Sequence, residues 1–255
     1  SDSAGNAATQ VTSSAFTVDT TAPTISSIAT PSWGSSLNAT EDNAGGTVTV
    51  TTSGVEDGQT VTLTLNNATY TGTVTSNTVD ITVTAAGLQA LTDGSSYTMT
   101  ADVSDSAGNA ATQVTSSAFT VDKTAPTASA IVATDNVGSV TGALTTGDTT
   151  DDTSLILSGT NIAGSTVEVF NGVTSLGAAT IVGTAWSYTA TVADGTVYSF
   201  TTKETDTAGN TSNASSAFAV TGDTTAPTAS TIVATDNIGS VTGALTTGDT
   251  TDDTS

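Results

Sequence analysis

Residues 60–83 read TVTLTLNNATYTGTVTSNTVDITV. Val61, Leu63 and Leu65 alternate with threonines, and Val79, Ile81 and Val83 alternate with Asp80 and Thr82. Successive side chains of an extended chain point to opposite faces, so a period of two marks strands buried on one face only. The same pattern starts at Val48-Thr49-Val50. Apolar residues at helical spacing are nowhere sustained. Threonine and valine dominate throughout, and their β-branched side chains suit a pleated surface. The chain is expected to be all-β.

Working outward, the sequence repeats itself. Residues 1–19, SDSAGNAATQVTSSAFTVD, recur unchanged at 104–122. Residues 131–154, IVATDNVGSVTGALTTGDTTDDTS, recur at 232–255 with Ile238 in place of Val137. Thr-Ala-Pro stands at 21–23, 124–126 and 225–227, so two full units lie between three such marks. Each has the size of one immunoglobulin-like sandwich. Proline cannot pair within a central strand and holds the preceding residue extended, so these tripeptides read as short, stiff linkers. The expected divisions are 23–124 and 125–225 as complete repeats of two subtypes. Residues 1–22 are expected to be the end of a preceding repeat, contributing its last strand, and 226–255 the start of a following one.

The two units share a frame in their C-terminal halves. Asp93-Gly94 precedes Tyr97, and Asp105-Ser106-Ala107-Gly108-Asn109 follows; the second unit has Asp194-Gly195, Tyr198 and Asp206-Thr207-Ala208-Gly209-Asn210. A turn rich in Asp and Gly ahead of a strand-opening tyrosine is the pattern of the tyrosine corner in Greek-key sandwiches. The strands on either side of the Ala-Gly-Asn turn are then F and G. Tandem Ig-like Greek-key sandwiches arranged end to end are the expected architecture.

Composition narrows the function. Against 24 Asp and Glu stand 2 Lys and Arg, a formal net charge of -22, with neither histidine nor cysteine. Phosphate neutralisation needs clustered cations, which excludes nucleic acid as a partner, and anionic lipid surfaces are excluded on the same ground. No disulfide or thiolate metal site is available. No apolar run approaches the ~20 residues of a membrane-spanning helix. Serine and threonine abound, but no base stands ready to activate them. Paired carboxylates can hydrolyse glycosides, yet here they lie on loops copied from unit to unit. No enzyme is expected.

The D-x-A-G-N turn, the closing strand, the Asp-x-Thr-Ala-Pro linker and the ATDNVGSVTGALTTGDTTDDTS opening together resemble bacterial Ig-like repeats of giant cell-surface adhesins, the Bap-like and RTX-adhesin extender domains. The resemblance covers essentially the whole chain. It implies an extracellular, type I-secreted, biofilm-associated protein in which repeats form a stalk that holds a terminal binding module away from the cell. It also implies calcium at or near domain junctions. The chain departs from the pattern at Leu155, where proline is common, and in Ser158–Ser165, which lacks the usual acidic residue.

Calcium takes six to eight oxygen ligands from carboxylates, amides and carbonyls. Candidate donors are Glu41 and Asp42 in the first unit and Asp135, Asn136, Asp148, Asp151 and Asp152 in the second. The turns add Asp105, Asn109, Asp206 and Asn210, and the linkers add Asp19, Asp122 and Asp223. Asx turns use the same residues without an ion, so the competing reading of these motifs is local capping. In an Ig-like sandwich the FG loop lies where the chain enters and the AB and EF loops where it leaves. The joint near 122–126 is therefore expected to gather Glu41, Asp42, Asp93 and Asp122 from one unit and Asp206 and Asn210 from the next. The expected partners are neighbouring repeats of the same chain, with lateral copies in a fibre as an alternative. Another alternative is a glycan-binding module on exposed aromatics. Trp186 alternates with Tyr188 and reads as core, whereas Trp33 beside Gly34 leaves surface binding open. Threonine rows such as Thr47, Thr49 and Thr51 read as the solvent face of a twisted strand rather than as a flat ice-binding array.

Overall fold

The computed structural model describes residues 1–240 and 242–253. In the first unit the strands are β1 (Thr24–Ile28), β2 (Ser36–Leu37), β3 (Gly46–Ser53), β4 (Thr60–Leu65), β5 (Ala68–Thr73), β6 (Thr78–Val83), β7 (Ser96–Tyr97), β8 (Met99–Asp102), β9 (Val114–Thr115) and β10 (Phe119–Val121). A 3-10 turn at Glu41–Asn43 and a short helix, α1 (Ala85–Gln89), lie between them. The second unit has β11 (Val132–Asp135), β12 (Gly142–Leu144), β13 (Asp148–Thr150), β14 (Ser154–Thr160), β15 (Thr166–Asn171), β16 (Thr174–Ala178), β17 (Thr180–Val182), β18 (Ala185–Thr191), β19 (Val197–Thr205) and β20 (Phe218–Gly222). A hairpin of β21 (Ala234–Asp236) and β22 (Gly243–Leu245) follows.

The second unit shows the architecture most plainly. One sheet has the order β12-β11-β14-β18-β17 and the other β13-β20-β19-β15-β16. In the first unit β1-β3-β6 face the sheets β2-β10-β7 and β5-β4-β8-β9. Pairing is antiparallel except at one recurring place, where β2 lies parallel to β10 and β13 parallel to β20. Both are Ig-like sandwiches, built from the half-buried strands that the period-two reading expects. The quoted stretch forms β4, β5 and β6. Asn66 and Asn67, at φ 49 and 64, make the two-residue turn between β4 and β5, the left-handed geometry that suits asparagine and the twist of a hairpin.

Each unit has its own core. Val48, Val50, Val61, Leu63, Leu65, Ile81, Met99 and Phe119 are buried in the first; Leu155, Leu157, Val167, Val169, Trp186, Phe200 and Phe218 are buried in the second. Trp33 is 4% exposed and meets the Phe119 ring edge-on at 5.4 Å, so it is core and offers no carbohydrate platform. Tyr97 and Tyr198 are half-buried because each hydroxyl must reach a backbone amide: Thr92 N–H and Ala193 N–H donate to them, both at 3.0 Å. These are the two tyrosine corners.

The repeated peptide SAFTVD behaves differently in its two copies. At 117–122 it supplies β10, between β2 and β7, with Phe119 2% exposed. At 14–19 it forms no strand, and Phe16 is 84% exposed. The closing strand expected within residues 1–20 is therefore not formed. A strand takes its ladder and its buried face from neighbours, and sequence alone supplies neither.

Candidate functional site

The D-x-A-G-N turns are built from their own atoms. Asp206 Oδ1 accepts from Ala208 N and Asn210 N at 2.9 and 2.8 Å, and Oδ2 accepts from the Asn210 amide at 3.0 Å. Asp105 holds Asn109 in the same way, at 2.8 Å from both its backbone and side-chain nitrogens. The Asn109 amide, with backbone N–H groups behind it, keeps the Asp105 carboxyl below its ordinary value. These carboxylates organise the turn. What the turn presents outward is the asparagine.

Each asparagine reaches back to the unit before it. Asn210 Nδ2 donates to the backbone carbonyl of Asp122 at 2.8 Å, and Asn109 Nδ2 donates to that of Asp19 at 3.2 Å. At the first of these joints the contact is reciprocal. Asn210 Oδ1 accepts from Ala39 N at 3.0 Å, and Asn38 Nδ2 donates to Ala208 O at 2.9 Å. The FG turn of one sandwich thus seats on the linker and on the 38–42 loop of its predecessor.

The linker is clamped from the other side. Asp93 Oδ1 accepts from Lys123 N at 2.7 Å and Oδ2 from the Thr124 hydroxyl at 2.6 Å; Asp194 treats Thr224 N and the Thr225 hydroxyl alike, at 2.6 and 2.7 Å. The threonine hydroxyls first, then the backbone amides, hold both carboxyls below the usual carboxylate range. A depressed folded-state value means the clamp's contribution is complete above the unfolded value, about 4, and is lost as pH falls through the lower folded one. Acid titration below about pH 4 is therefore expected to release the linker. The readout is the acid limb of a pH–melting curve. Asp93→Ala with Asp194→Ala should flatten that limb, and an unchanged curve would remove the clamp from the account.

The remaining acidic candidates separate into two groups. Around the 122–126 joint, Glu41 accepts from Asn38 N at 3.0 Å and Asp42 pairs with the Lys123 ammonium at 3.0 Å. Asp19, Asp122 and Asp223 each cap the amide two residues on. In the second unit Asp135, Asp148, Asp151 and Asp223 line one cleft of about 440 Å³. Asp135 and Asp152 are 5% and 3% exposed, whereas Asn136 is exposed. Asp148 closes its own turn on Thr145. Gly138, at φ +75, admits the Asp151 carboxylate: a Cβ there would meet Asp151 Oδ2 at 2.1 Å. In the copy Asp236, Asp252 and Asp253 offer carboxylate oxygens within 4.8 Å of one another, a closeness that Asp135, Asp151 and Asp152 do not reach. Asp253 Oδ1 is buried without a hydrogen-bond partner among the described residues. Both lysines are engaged elsewhere, Lys123 at the joint and Lys203 over the Phe170 ring at 5.6 Å. Asp135 accepts from Val137 N and from the Thr150 hydroxyl, and Asp152 from Ser154 N, so both are hydrogen-bonded within the protein; with no protein cation beside them, their oxygens also suit a divalent ion.

Two residues central to the joint carry little signal in the sequence. Asn38 and Ala39 act through one amide and one backbone N–H. Lys123 is one of two cations in a chain of charge -22, and nothing in its sequence neighbourhood points to Asp42 as its partner.

Residues 127–224 match the family model of the bacterial Ig-like domain. No curated protein matches the chain. Among solved structures it is similar to a Ca2+-stabilized adhesin that helps an Antarctic bacterium reach out and bind ice. Identity is 26% and the TM-score 0.51, over 88% of this chain and 55% of that one. A 1.5-MDa bacterial ice-binding adhesin matches at 23% identity and a TM-score of 0.47, over 78% of this chain and 62% of that one. A tetra-tandem repeat from the extending region of a large adhesion protein matches at 19% identity and 0.29, over 78% and 48%. The chain spans less than two thirds of these adhesin chains.

Proposed function

We propose that these bacterial Ig-like sandwiches form a stalk segment of a large cell-surface adhesin, non-enzymatic and extracellular, stiffened by calcium held in the acidic loop of the second unit. Units 23–124 and 125–225 are the links of the stalk. The observation that carries the mechanical reading is the recurring hook: Asn109 on Asp19 O and Asn210 on Asp122 O, the same turn gripping the same carbonyl at successive joints. Two sandwiches joined only by a few residues would hinge. A hook at every joint instead fixes the angle between neighbours and lets length accumulate.

Asp135, Asp148, Asp151 and Asp152, beside Asp223, are the residues proposed to hold the ion. Bound there, calcium would neutralise carboxylates that otherwise repel each other near the exit of the unit. Millimolar calcium outside a cell would set the loop, and low calcium inside would leave it loose during export. Similarity to a Ca2+-stabilized adhesin supports this reading.

Calcium titration of the whole chain by calorimetry tests it. Extracellular modules bind with dissociation constants of about 10⁻⁴–10⁻³ M. At roughly a hundredfold excess over the tighter value the second unit gains about 2.7 kcal/mol. Its melting temperature should then rise by on the order of 10 °C. Asp152→Asn should abolish most of that rise. Absence of calcium heat together with an unmoved transition would leave the loop as a set of Asx turns.

A further inference from the structure

The 122–126 joint contains a cation already, and it belongs to the protein. Lys123 Nζ lies 3.0 Å from Asp42 Oδ2 and 3.1, 3.3 and 3.3 Å from the carbonyl oxygens of Leu91, Leu88 and Gln89. Four oxygens thus surround one ammonium, which has three protons to share among them. Three of them are carbonyls at or just past the end of α1, where a helix C-terminus favours positive charge, although Leu88 O also accepts from Leu91 N. The lysine side chain is only 18% exposed. Its own backbone N–H is held by Asp93, so the ammonium and the linker are anchored together.

The second unit has no equivalent of this lysine. Thr224 occupies its position, since Thr224 N meets Asp194 as Lys123 N meets Asp93. The neighbouring loop changes with it. Asp122 N donates to Leu37 O and Asp223 N to Thr150 O, both at 2.9 Å, which aligns Asn38 with Asp151 and Ala39 with Asp152. Where the first unit offers an amide that donates to the Ala208 carbonyl, the second offers a carboxylate, which has no proton to give.

We infer that Lys123 and Asn38 together replace a metal ion at the 122–126 joint, so that this joint keeps its geometry without calcium, whereas Asp151 and Thr224 leave the exit of the second unit to depend on it. The last clause rests on the calcium reading proposed above; the lysine lock does not.

The chain lacks cysteine, so spin labels can be placed at will. Thr69→Cys and Val173→Cys, both exposed, report the distance between the two sandwiches in the full chain by double electron–electron resonance. In the labelled parent the distance distribution should be the same in calcium and in chelator. Lys123→Thr with Asn38→Asp removes the ammonium and the amide that the second unit lacks. Its distribution should widen roughly twofold, in calcium and in chelator alike, as expected of sandwiches on a free linker, because Ala39 stands where the second unit has Asp152. A parent that widens in chelator would overturn the inference, and so would a double variant that stays narrow. If the double variant does not fold, Lys123→Gln keeps the stem and removes the charge, and it should widen the distribution in chelator; an unaltered width would equally overturn the lock. Calorimetry on the labelled parent separates the two ideas. No calcium heat with an unchanged distance removes the calcium reading and leaves the lock standing.

Discussion

Trp186→Ala should lower the melting temperature of the second sandwich by about 15–30 °C and leave the first untouched. Trp186 is 2% exposed on β18, packed in the second core, with its indole Nε1–H donating to the Ser129 hydroxyl at 3.1 Å. The ring fits only because residue 159 is glycine: a Cβ there would meet Nε1 at 2.7 Å. Truncation removes the largest buried side chain, leaves a cavity and orphans the hydroxyl, a loss of about 3–5 kcal/mol. Domains of this size hold about 5–15 kcal/mol in total, so the variant unit is near the edge of folding. The two cores share no residue, and differential scanning calorimetry should resolve two transitions, of which one moves. A common shift of both transitions would mean that the sandwiches melt as one body.

The second large effect uses the repeat as its own control. Phe119→Ala should destabilise the first unit by about 3–5 kcal/mol, whereas Phe16→Ala in the identical peptide should stay within about 0.5. Phe119 is sealed between Trp33 and Tyr97, with ring centroids at 5.4 and 6.2 Å; Phe16 is solvent-exposed. Denaturant unfolding of both variants against the parent supplies the comparison. Comparable losses at the two positions would show that residues 14–19 pack somewhere after all.

This pair also marks how far the sequence could be read. Alternation placed Val61, Leu63, Val79 and Ile81 inward because a period of two admits only one buried face. The tyrosine corners followed from Asp-Gly turns ahead of Tyr97 and Tyr198. Helix α1 did not, since AAGLQ has no periodicity to announce it and rests on a Thr84 cap. Strand F of the first unit, continuous as β19 in the second, divides into β7 and β8 serving different sheets, and nothing in Ser96–Asp102 signals the break.

For the joint, sequence identified the oxygen-rich loops but not how the oxygens are spent. Asp105 and Asp206 look like ligands and are consumed within their own turns. Asp42 looks like a ligand and faces a lysine. Such distinctions depend on partners far along the chain, as with the 171 residues between Ala39 and Asn210. The chief contact of the hook is invisible for another reason. Its acceptor is a main-chain carbonyl, and every residue has one.

That choice of acceptor bears on inheritance. For the hook itself, Asn109 and Asn210 take a backbone oxygen that any residue there would supply. As far as that contact goes, any unit supplying the oxygen can precede any unit carrying the turn. The 19 residues shared without change by 1–19 and 104–122 span both the turn and the strand. An unequal crossover between such stretches would delete or duplicate whole sandwiches in frame. Each product would still carry a turn and a carbonyl at every junction. On the proposed stalk reading, reach is then a trait that a lineage can lengthen or shorten in single recombination events.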